Sequence, residues 1–479
     1  MKLKLLREKI YINGQWLEAD RGRNFEVLNP FDGSKVATVP LCEGQEARRA
    51  IEAAHQAWSV WRHFSPRERA QLLQKWAGLI DDHREELAEL ITLECGKPIR
   101  EARAEVAYGN NFVKWAAMEA MHILGETAQM DASNQRMVVI KQPVGVVAAI
   151  TPWNFPLAMI TRKCTPALAA GCTVVVKPAE DTPLTALALA ALAEQAGFPP
   201  GVLNVLTGLP AEIGLEMSTN PLVRALSFTG STAVGKLLMQ QCSQTVKKVA
   251  LELGGNAPFI VFKDADLEAA LQGVMAAKFR NSGQTCICAN RILVQTEIYD
   301  EFIEKLAVLI RQLVVGNGLK EETQVTALIN QKGLKKVDRL VKAAVNHGAR
   351  LHCGGSISED IPLAYQPTLL TEITPHMEIF HEEIFGPVAA VMPFNDEEEV
   401  IDLANHTPYG LAGYFYSRDI GRVWRVAEAL ESGIVGVNSG IVSNEFAPFG
   451  GIKESGLGRE GSTHGIEEFL ETKYICMAF

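Results

Sequence analysis

Short apolar runs rich in β-branched residues recur through the middle of the chain, which restricts it to few architectures. Their spacing of roughly 25–30 residues is that of strand–helix–strand units. The runs lack polar alternation, so both faces of the sheet should be covered. We therefore predict a parallel, doubly wound α/β sheet, which would bind ligands at the carboxyl ends of its strands. The runs are residues 144–150, 173–176, 202–206, 225–228 and 259–262.

The first third of the chain is predicted to be helical. Residues 47–57 keep the apolar spacing of a helix. A second helix should begin cleanly, because Ser65 can cap it, Pro66 suits its first position and Glu68 completes a capping box. We expect both helices to face the core and to carry no chemistry.

The composition argues against several classes of partner. The formal net charge is −10, whereas nucleic-acid binding needs a basic surface. The nine cysteines are scattered without a Cys-x-x-Cys pair, so we expect neither a disulfide framework nor a structural zinc site. The N-terminal segment has no apolar core of signal-peptide length, and the longest apolar stretch, Leu184–Ala193, is too short to span a membrane. These features predict a protein of the reducing cytoplasm, without nucleic-acid, membrane or metal partners.

Polar segments follow three of the predicted strands. Gly230-Ser231-Thr232-Ala233-Val234-Gly235 can bind a phosphate at a helix N-terminus, or it can be only a tight turn. Lys177 can bind a ribose or a phosphate, or it can extend to solvent. Glu180 can accept hydrogen bonds from ribose hydroxyls, although the usual nucleotide fingerprint has its acidic residue after the glycine loop. From these residues alone, the alternatives stay open.

Two ionisable residues stand in unusual surroundings. Cys286 ends the polar segment Gly283-Gln284-Thr285-Cys286, which suits a reactive thiol, although a lone cysteine is more often inert and buried. Glu252 stands between Leu251 and Leu253. Partial burial would raise its pKa towards the range of a general base. A paired structural carboxylate is the alternative for Glu252.

Seven segments together resemble the motifs of the aldehyde dehydrogenase superfamily, in the family's order and across nearly the whole chain. The resemblance implies the aldehyde dehydrogenase fold, with a doubly wound cofactor domain, an α/β catalytic domain and a small β oligomerisation element. The segments are Thr151-Pro152-Trp153-Asn154-Phe155-Pro156, Lys177-Pro178-Ala179-Glu180, Phe228-Thr229-Gly230-Ser231, Leu251-Glu252-Leu253-Gly254-Gly255, Gly283-Gln284-Thr285-Cys286, Glu382-Glu383-Ile384-Phe385-Gly386-Pro387 and Pro448-Phe449-Gly450-Gly451.

The resemblance implies a mechanism in which Cys286 attacks the aldehyde. Asn154 and the backbone N–H of Cys286 would hold the oxyanion, and Glu252 would activate the water that hydrolyses the thioester. The implied cofactor is NAD, with NADP possible. The residues implied to bind it are Trp153, Lys177, Glu180, Gly230, Ser231, Glu383 and Phe385.

Within the superfamily, the chain most resembles the succinate semialdehyde dehydrogenases. In that group two arginines and a loop serine hold the distal carboxylate of the substrate, which here implies Arg162, Arg280 and Ser443. A guanidinium suits this role because it forms a bidentate, charge-assisted pair with a carboxylate. Internal salt bridges are the alternative for both arginines, and Ser439 and Asn444 lie close to Ser443 in sequence.

Other functions remain to be weighed against oxidation of succinate semialdehyde to succinate. Glutarate semialdehyde is one methylene longer, and one methylene changes discrimination by only about 1–3 kcal/mol. Relatives that transfer the acyl group to coenzyme A tend to lack the glutamate that stands here as Glu252. A binding or structural protein without activity would be expected to have lost Cys286, Glu252 or Asn154, and all three are present.

Two finer expectations follow from the same resemblance. Glu180 would repel the 2′-phosphate of NADP, which predicts a preference for NAD. Some relatives with a Cys-x-Cys loop are redox-sensitive, so Cys288 could form a regulatory disulfide with Cys286, provided that the loop moves. Simple packing is the alternative for Cys288.

The resemblance also divides the chain into three parts. The cofactor domain would comprise residues 1–119 and 141–252, the catalytic domain residues 253–455, and the oligomerisation element residues 120–140 and 462–479. Segments 136–140 and 471–475 are predicted to be exposed strands, whose edges need a partner. We therefore expect a homodimer or a homotetramer.

Overall fold

The computed structural model describes residues 3–479 of the chain. Its strands are β1 (Ile10–Ile12), β2 (Gln15–Leu17), β3 (Asn24–Leu28), β4 (Lys35–Pro40), β5 (Glu126–Gln129), β6 (Gln135–Pro143), β7 (Val146–Ile150), β8 (Thr173–Lys177), β9 (Leu203–Val205), β10 (Val223–Thr229), β11 (Lys248–Glu252), β12 (Ala257–Val261), β13 (Ala289–Gln295), β14 (Arg350–Cys353), β15 (Thr368–Thr371), β16 (Val388–Phe394), β17 (Tyr409–Gly410), β18 (Ala412–Tyr416), β19 (Ile434–Val437), β20 (Ile452–Lys453), β21 (Gly456–Leu457) and β22 (Leu470–Ala478).

Helices lie between most of these strands, as the βαβ spacing predicts. They are α1 (Gly44–Trp61), α2 (Pro66–Asp82), α3 (Arg84–Cys95), α4 (Ile99–Glu119), α5 (Ala158–Ala170), α6 (Leu184–Ala196), α7 (Pro210–Thr219), α8 (Thr232–Cys242), α9 (Leu267–Phe279), α10 (Tyr299–Arg311), α11 (Gln331–Asn346), α12 (Glu378–His381), α13 (Glu397–Asn405), α14 (Ile420–Ala429) and α15 (His464–Glu467).

The first sheet has the strand order β2-β1-β9-β8-β7-β10-β11-β21, and its five middle neighbours β9-β8-β7-β10-β11 are parallel. Every residue of β7 and β8 is buried, which explains their continuous apolar sequences. Chain order reverses at β7, because β8 and β9 follow on one side and β10 and β11 on the other. The crevice between the carboxyl ends of β7 and β10 is thus the expected ligand site.

Four of the five predicted runs form strands of this sheet, whereas the fifth does not. The run at residues 259–262 belongs to β12, which pairs with β13 and β18 in a second sheet. That sheet has the order β14-β15-β16-β13-β12-β18-β19 and is parallel except for β14. A buried strand has the same apolar pattern in either sheet, so the spacing could not separate them.

A third, antiparallel sheet has the order β22-β6-β5. Its long pair runs from Leu470 opposite Pro143 to Ala478 opposite Gln135. The predicted strands at 136–140 and 471–475 lie within this pair and are confirmed. β6 continues past the predicted domain boundary at residue 140, and β21 joins the first sheet. The three-part division of the chain stays a prediction.

The beginning of the chain differs from the helical prediction. Four short strands precede α1, and Asn13-Gly14 joins the first two, with φ of 51° and 74°. Such a pair is a signal for a two-residue β-hairpin turn. The two predicted helices follow as α1 and α2, and Ser65 and Glu68 form the predicted capping box. No helix within residues 3–479 is long and apolar enough to cross a membrane.

Candidate active site

The loop before Cys286 has an unusual backbone. Asn281, Ser282 and Gly283 have φ of 51°, 55° and 77°, so three successive residues adopt the left-handed conformation that non-glycine residues rarely adopt. The Asn281 N–H donates to Glu101 Oε2 at 2.6 Å, and the Thr326 N–H donates to Ser282 Oγ at 2.9 Å. Such strain persists only where neighbouring structure enforces it, and it is concentrated at functional sites.

Cys286 follows this loop, and its side chain is half-buried. A Cβ added to Gly255 would come within 2.4 Å of the Cys286 carbonyl oxygen, so the glycine allows close packing there. Burial, together with Glu383, raises the pKa of the Cys286 thiol to about 12, against the positive charges of Arg162 and Arg280. The thiol is therefore protonated near neutral pH and needs a base before its sulfur can attack.

Asn154 is hydrogen-bonded to the same loop through both its side chain and its backbone carbonyl. Its side-chain Nδ2 donates to the Gln284 carbonyl at 3.0 Å, and its own carbonyl accepts from Asn281 Nδ2 at 3.0 Å. Lys97 Nζ donates to that carbonyl as well, at 2.8 Å. A carboxamide has two donor hydrogens, so one remains for a ligand.

Glu252 ends β11 and is 4% exposed. Its Oε2 has no hydrogen-bond partner among residues 3–479, and a Cβ added to Gly450 would lie 2.9 Å from its Oε1. Burial and the charge of Glu460 raise the pKa of Glu252 well above its ordinary value, although Arg162 and Lys163 oppose the rise. A carboxylate with a raised pKa and a free oxygen is suited to accept a proton near neutral pH.

Arg162 and Lys163, which are consecutive on α5, share the Glu460 carboxylate. Arg162 Nη2 lies 2.7 Å from Glu460 Oε2, and Lys163 Nζ donates to Glu460 Oε1. The three side chains are at most 7% exposed. The internal salt bridge that the sequence left as an alternative for Arg162 is therefore present.

The other terminal nitrogen of Arg162 faces a tyrosine. Nη1 donates to the Tyr108 hydroxyl oxygen at 3.1 Å, and the same hydroxyl is hydrogen-bonded to Ser443 Oγ. Two of the three predicted substrate residues thus meet through Tyr108. The side chains of Ser439 and Asn444 instead make hydrogen bonds inside their own loop, which singles out Ser443.

Arg280 differs from Arg162 in having no acidic partner within residues 3–479 at ion-pair distance. Its guanidinium carbon lies 5.3 Å from the centroid of the Phe155 ring, and the side chain is half-buried. Its charge lowers the pKa of both Cys286 and Glu101, against the effect of burial on each. The internal salt bridge that was the alternative for Arg280 is therefore absent among residues 3–479.

Lys177 and Glu180 lie together at the carboxyl end of β8. Lys177 is 2% exposed, so it does not extend to solvent, and its Nζ donates to Glu180 Oε2 at 3.0 Å. Burial lowers the pKa of Lys177, while Glu180 opposes that change. Nearby strand ends carry Thr151 and Thr229, whose buried hydroxyls have no partner among residues 3–479.

The glycine segment after β10 opens a helix, as one of its two interpretations predicts. Ser231 is the N-cap of α8, and its Oγ accepts from the Val234 N–H at 3.5 Å. The Gly230 N–H donates to the Glu252 carbonyl at 3.1 Å. The helix N-terminus therefore lies at the switch point of the sheet, where its N–H groups favour an anion.

The segment around Glu383 contacts two other segments of the site, those of Trp153 and Gly255. Phe385 has a φ of 58°, and its ring meets that of Trp153 edge to face, with 5.5 Å between the centroids. The Gly255 N–H donates to Glu383 Oε1 at 3.2 Å. Burial raises the pKa of Glu383 to about 7. Trp153 and Asn154 are adjacent, so this aromatic pair lies next to the predicted oxyanion donor.

Cys288 is buried, and its thiol donates to the Lys278 carbonyl at 3.4 Å. Cys286 and Cys288 are both free thiols here. A disulfide between them would require Cys288 to leave this contact, and its regulatory role stays a prediction.

Sequence reasoning missed one face of α4. Glu101, Glu105 and Tyr108 are spaced so that they share a helix face. Glu101 accepts from the Asn281 N–H, Glu105 accepts from the N–H groups at the start of α5, and Tyr108 contacts Arg162. A polar stripe at helical spacing was the available signal for all three.

Comparison with known proteins identifies the family. The profile of the Aldehyde dehydrogenase family matches residues 16–475. The chain is 53% identical over 473 residues to the succinate-semialdehyde dehydrogenase (NADP+) of Escherichia coli K12, covering 99% of this chain and 98% of the relative. It is 53% identical to a 3-sulfolactaldehyde dehydrogenase of Pseudomonas putida over 99% and 97% of the chains. It is equally similar, over the full length of both chains, to a glutarate-semialdehyde dehydrogenase of Pseudomonas putida KT2440.

Solved structures agree with these relatives. The crystal structure of a succinate-semialdehyde dehydrogenase from Burkholderia pseudomallei has a TM-score of 0.99 and 52% identity, covering 100% of this chain and 99% of that one. A betaine aldehyde dehydrogenase from Staphylococcus aureus in complex with NAD+ has a TM-score of 0.97 and 37% identity, covering 99% and 96%.

The chain belongs to the aldehyde dehydrogenase family and has its fold, which confirms both predictions. It is an NAD(P)-dependent aldehyde dehydrogenase, and its relatives divide among succinate semialdehyde, glutarate semialdehyde and sulfolactaldehyde as substrates.

Proposed function

We propose that this enzyme oxidises succinate semialdehyde to succinate, with Cys286 as nucleophile and NAD+ preferred over NADP+. One observation carries the choice of substrate: Arg162 and Ser443, two of the residues predicted for the distal carboxylate, meet at the Tyr108 hydroxyl. The charges of Arg162 and Arg280 both oppose the rise in the pKa of the Cys286 thiol. An aldehyde with a carboxylate a few bonds away can meet those charges while its carbonyl reaches the sulfur.

In the first step, the Cys286 sulfur bonds to the aldehyde carbon as its proton is removed. Glu252 is the base for that proton, because burial and Glu460 raise the pKa of its carboxyl. The carbonyl oxygen becomes an oxyanion, held by the free amide hydrogen of Asn154 and by the Cys286 N–H. One such donor is worth about 3–4 kcal/mol in comparable sites.

The second half of the reaction releases the acid. When bound, NAD(P)+ supplies the acceptor for the hydride that leaves the tetrahedral carbon, so that a thioester to Cys286 remains. Glu252 first releases the thiol proton to solvent, and the ionised carboxylate then takes a proton from water while the water oxygen bonds to the thioester carbon. The carbon–sulfur bond breaks, succinate leaves, and the thiol regains a proton.

The crevice of the first sheet fits the dinucleotide. The buried hydroxyls without partners at Thr151 and Thr229 support this, as does the helix N-terminus at Ser231. The Glu180 carboxylate, held by Lys177, would accept from ribose hydroxyls and repel a 2′-phosphate. We propose Lys177 and Glu180 for the adenosine ribose, Gly230 and Ser231 for the pyrophosphate, and Trp153, Glu383 and Phe385 for the nicotinamide ribose and ring.

Initial rates test this function directly. Purified enzyme is assayed for NADH or NADPH formation with succinate semialdehyde and with butanal, a neutral aldehyde of equal carbon number. We expect a much higher kcat/KM for succinate semialdehyde and for NAD+. Coenzyme A should not raise the rate or change the product. Equal kcat/KM for the two aldehydes would contradict the proposed substrate class.

Glutarate semialdehyde and 3-sulfolactaldehyde form a second candidate. The relatives named for them are as similar to this chain as the one named for succinate semialdehyde, and a guanidinium binds a sulfonate as readily as a carboxylate. Both belong in the same assay. If either compound had the higher kcat/KM, it would be the main substrate in place of succinate semialdehyde.

We also propose that the enzyme is a homodimer or homotetramer of the cytoplasm. Strands β5, β19 and β22 each end a sheet, and most of β22 is exposed, so a second copy could cover these edges. The nine cysteines are free thiols, in keeping with a reducing compartment. Light scattering coupled to size exclusion measures the assembly, and a monomer would contradict it.

A further inference from the structure

We propose that the Tyr108 hydroxyl binds the distal anionic group of the substrate together with Ser443. The hydrogen bond from Arg162 to Tyr108 makes this hydroxyl a stronger donor to the anion. This inference rests on the proposed function, because it assumes an aldehyde that carries a carboxylate. It makes Tyr108 a residue that determines specificity, in addition to the two arginines and the serine.

The direction of the hydrogen bonds supports this role. Arg162 Nη1 donates to the Tyr108 oxygen at 3.1 Å, so the phenolic proton must point elsewhere. The Ser443 hydroxyl is the other partner of Tyr108, and either oxygen can be the donor of that bond. Where Ser443 donates, the phenolic proton is free for an anionic group of the substrate. A cation that donates to one hydroxyl strengthens the next donor in the chain. Tyr108 and Ser443 thus form a pair of polarised hydroxyls at the end of a cation.

Arg162 itself has little surface left for a ligand. Its side chain is 2% exposed and Nη2 faces Glu460. Its guanidinium carbon lies 4.0 Å from the centroid of the Phe449 ring and 5.3 Å from that of Phe112. Tyr108 is half-buried. The hydroxyl is therefore the part of this group that a ligand reaches first.

A purely structural role for Tyr108 is the competing explanation. Its ring meets Phe112 edge to face, with 5.1 Å between the centroids, and its hydroxyl could serve only to hold the loop of Ser443. The two roles differ when Ser443 is replaced by alanine: a residue that only holds Ser443 has no further effect on succinate semialdehyde there, whereas a direct anion ligand still does.

The variant Tyr108→Phe, made alone and in a Ser443→Ala background, separates the two roles, because it keeps the ring and removes the hydroxyl. No further loss for succinate semialdehyde in that background would overturn the direct role of Tyr108. We measure kcat and KM for succinate semialdehyde and for butanal with NAD+, beside the wild type. A hydrogen bond to a charged group lost in this way should lower kcat/KM for succinate semialdehyde about ten- to hundredfold, mainly through KM. The kcat/KM for butanal should stay within about twofold.

Ser439→Ala is the matched control in the same loop, since Ser439 Oγ bonds only to its own loop backbone, and both aldehydes should be unaffected. Equal losses for the two aldehydes in Tyr108→Phe, or no loss for either, would overturn the role of Tyr108. The failure of the proposed function looks different, because then the wild type itself would not favour succinate semialdehyde over butanal.

Discussion

The Arg162 guanidinium and the Glu460 carboxylate form a buried ion pair, with 2.7 Å between Nη2 and Oε2. Lys163 binds the same carboxylate. Glu460 therefore pairs with two cations and also presents a negative charge to Glu252, whose pKa it raises in addition to burial. The proton affinity of the proposed base therefore depends on a residue that is distant in sequence.

Glu460→Gln should lower the pKa of Glu252. The change removes a negative charge and leaves Arg162 and Lys163 free to stabilise the ionised carboxylate. Deacylation, which needs ionised Glu252, should then persist to more acidic pH, with its acid limb shifted down by about one unit. The pH dependence of single-turnover thioester hydrolysis measures this shift.

Glu297→Gln serves as the control, because Glu297 is an exposed carboxylate that pairs with Lys263 and is not among the charges that shift the pKa of Glu252. An unchanged acid limb in Glu460→Gln would contradict the coupling. Loss of the shared carboxylate should also reduce thermal stability, because two buried cations lose their partner.

Arg280→Gln should make Cys286 less reactive. The Arg280 charge opposes the effect of burial on the pKa of the thiol, so its removal raises that pKa and reduces the thiolate fraction near neutral pH. Alkylation of Cys286 by iodoacetamide should slow several-fold, as followed by peptide mass spectrometry. The half-buried Cys353, which lies outside the strands proposed to meet a second copy, is an internal reference, and Arg418→Gln, on the surface, is the control. Equal alkylation rates for Cys286 would show that the charge does not act there.

Glu180→Ser should increase the use of NADP+. The substitution removes a carboxylate that would repel the 2′-phosphate and frees Lys177 Nζ from its hydrogen bond to Glu180. We expect the ratio of kcat/KM for NADP+ to that for NAD+ to rise by at least about tenfold, which corresponds to about 1.4 kcal/mol. Glu212→Gln, at an exposed position of α7, should leave the ratio unchanged. A constant ratio in Glu180→Ser would refute the role of Glu180.

Glu383 should make cofactor binding depend on pH. Burial raises the pKa of its carboxyl to about 7, so below that pH the protonated form predominates and the ionised acceptor for ribose hydroxyls is lost. The KM for NAD+ should fall as pH rises from about 6 to about 8. Glu383→Gln should raise this KM and remove its pH dependence over that range. A parallel pH dependence in the variant would assign the effect to another group.

The motifs at strand ends could be predicted because each is local. Lys177 ends a buried strand and Ser231 caps the following helix, so periodicity and capping signals suffice to locate them. Burial of both faces also made the parallel strands recognisable. The hairpin at Asn13-Gly14 could also have been predicted from the sequence, although its strands are only three residues each.

The partners of these residues could not be predicted in the same way. Lys163 and Glu460 are 297 positions apart, and Tyr108 and Ser443 are 335 apart. No local pattern relates residues at such distances, since the fold alone brings them together. For the same reason, the spacing of the apolar runs could not tell that β12 leaves the first sheet.

Acylation of Cys286 is the most direct test of the account. Glu252→Gln enzyme is mixed with succinate semialdehyde and NAD+, and its peptides are analysed by mass spectrometry while NADH is followed optically. We predict one burst of NADH that is slower than in the wild type, because the base for the Cys286 thiol is also lost, then little further turnover, and a succinyl group on the peptide that contains Cys286. Undiminished steady turnover, or a burst without an acyl group on Cys286, would contradict the mechanism.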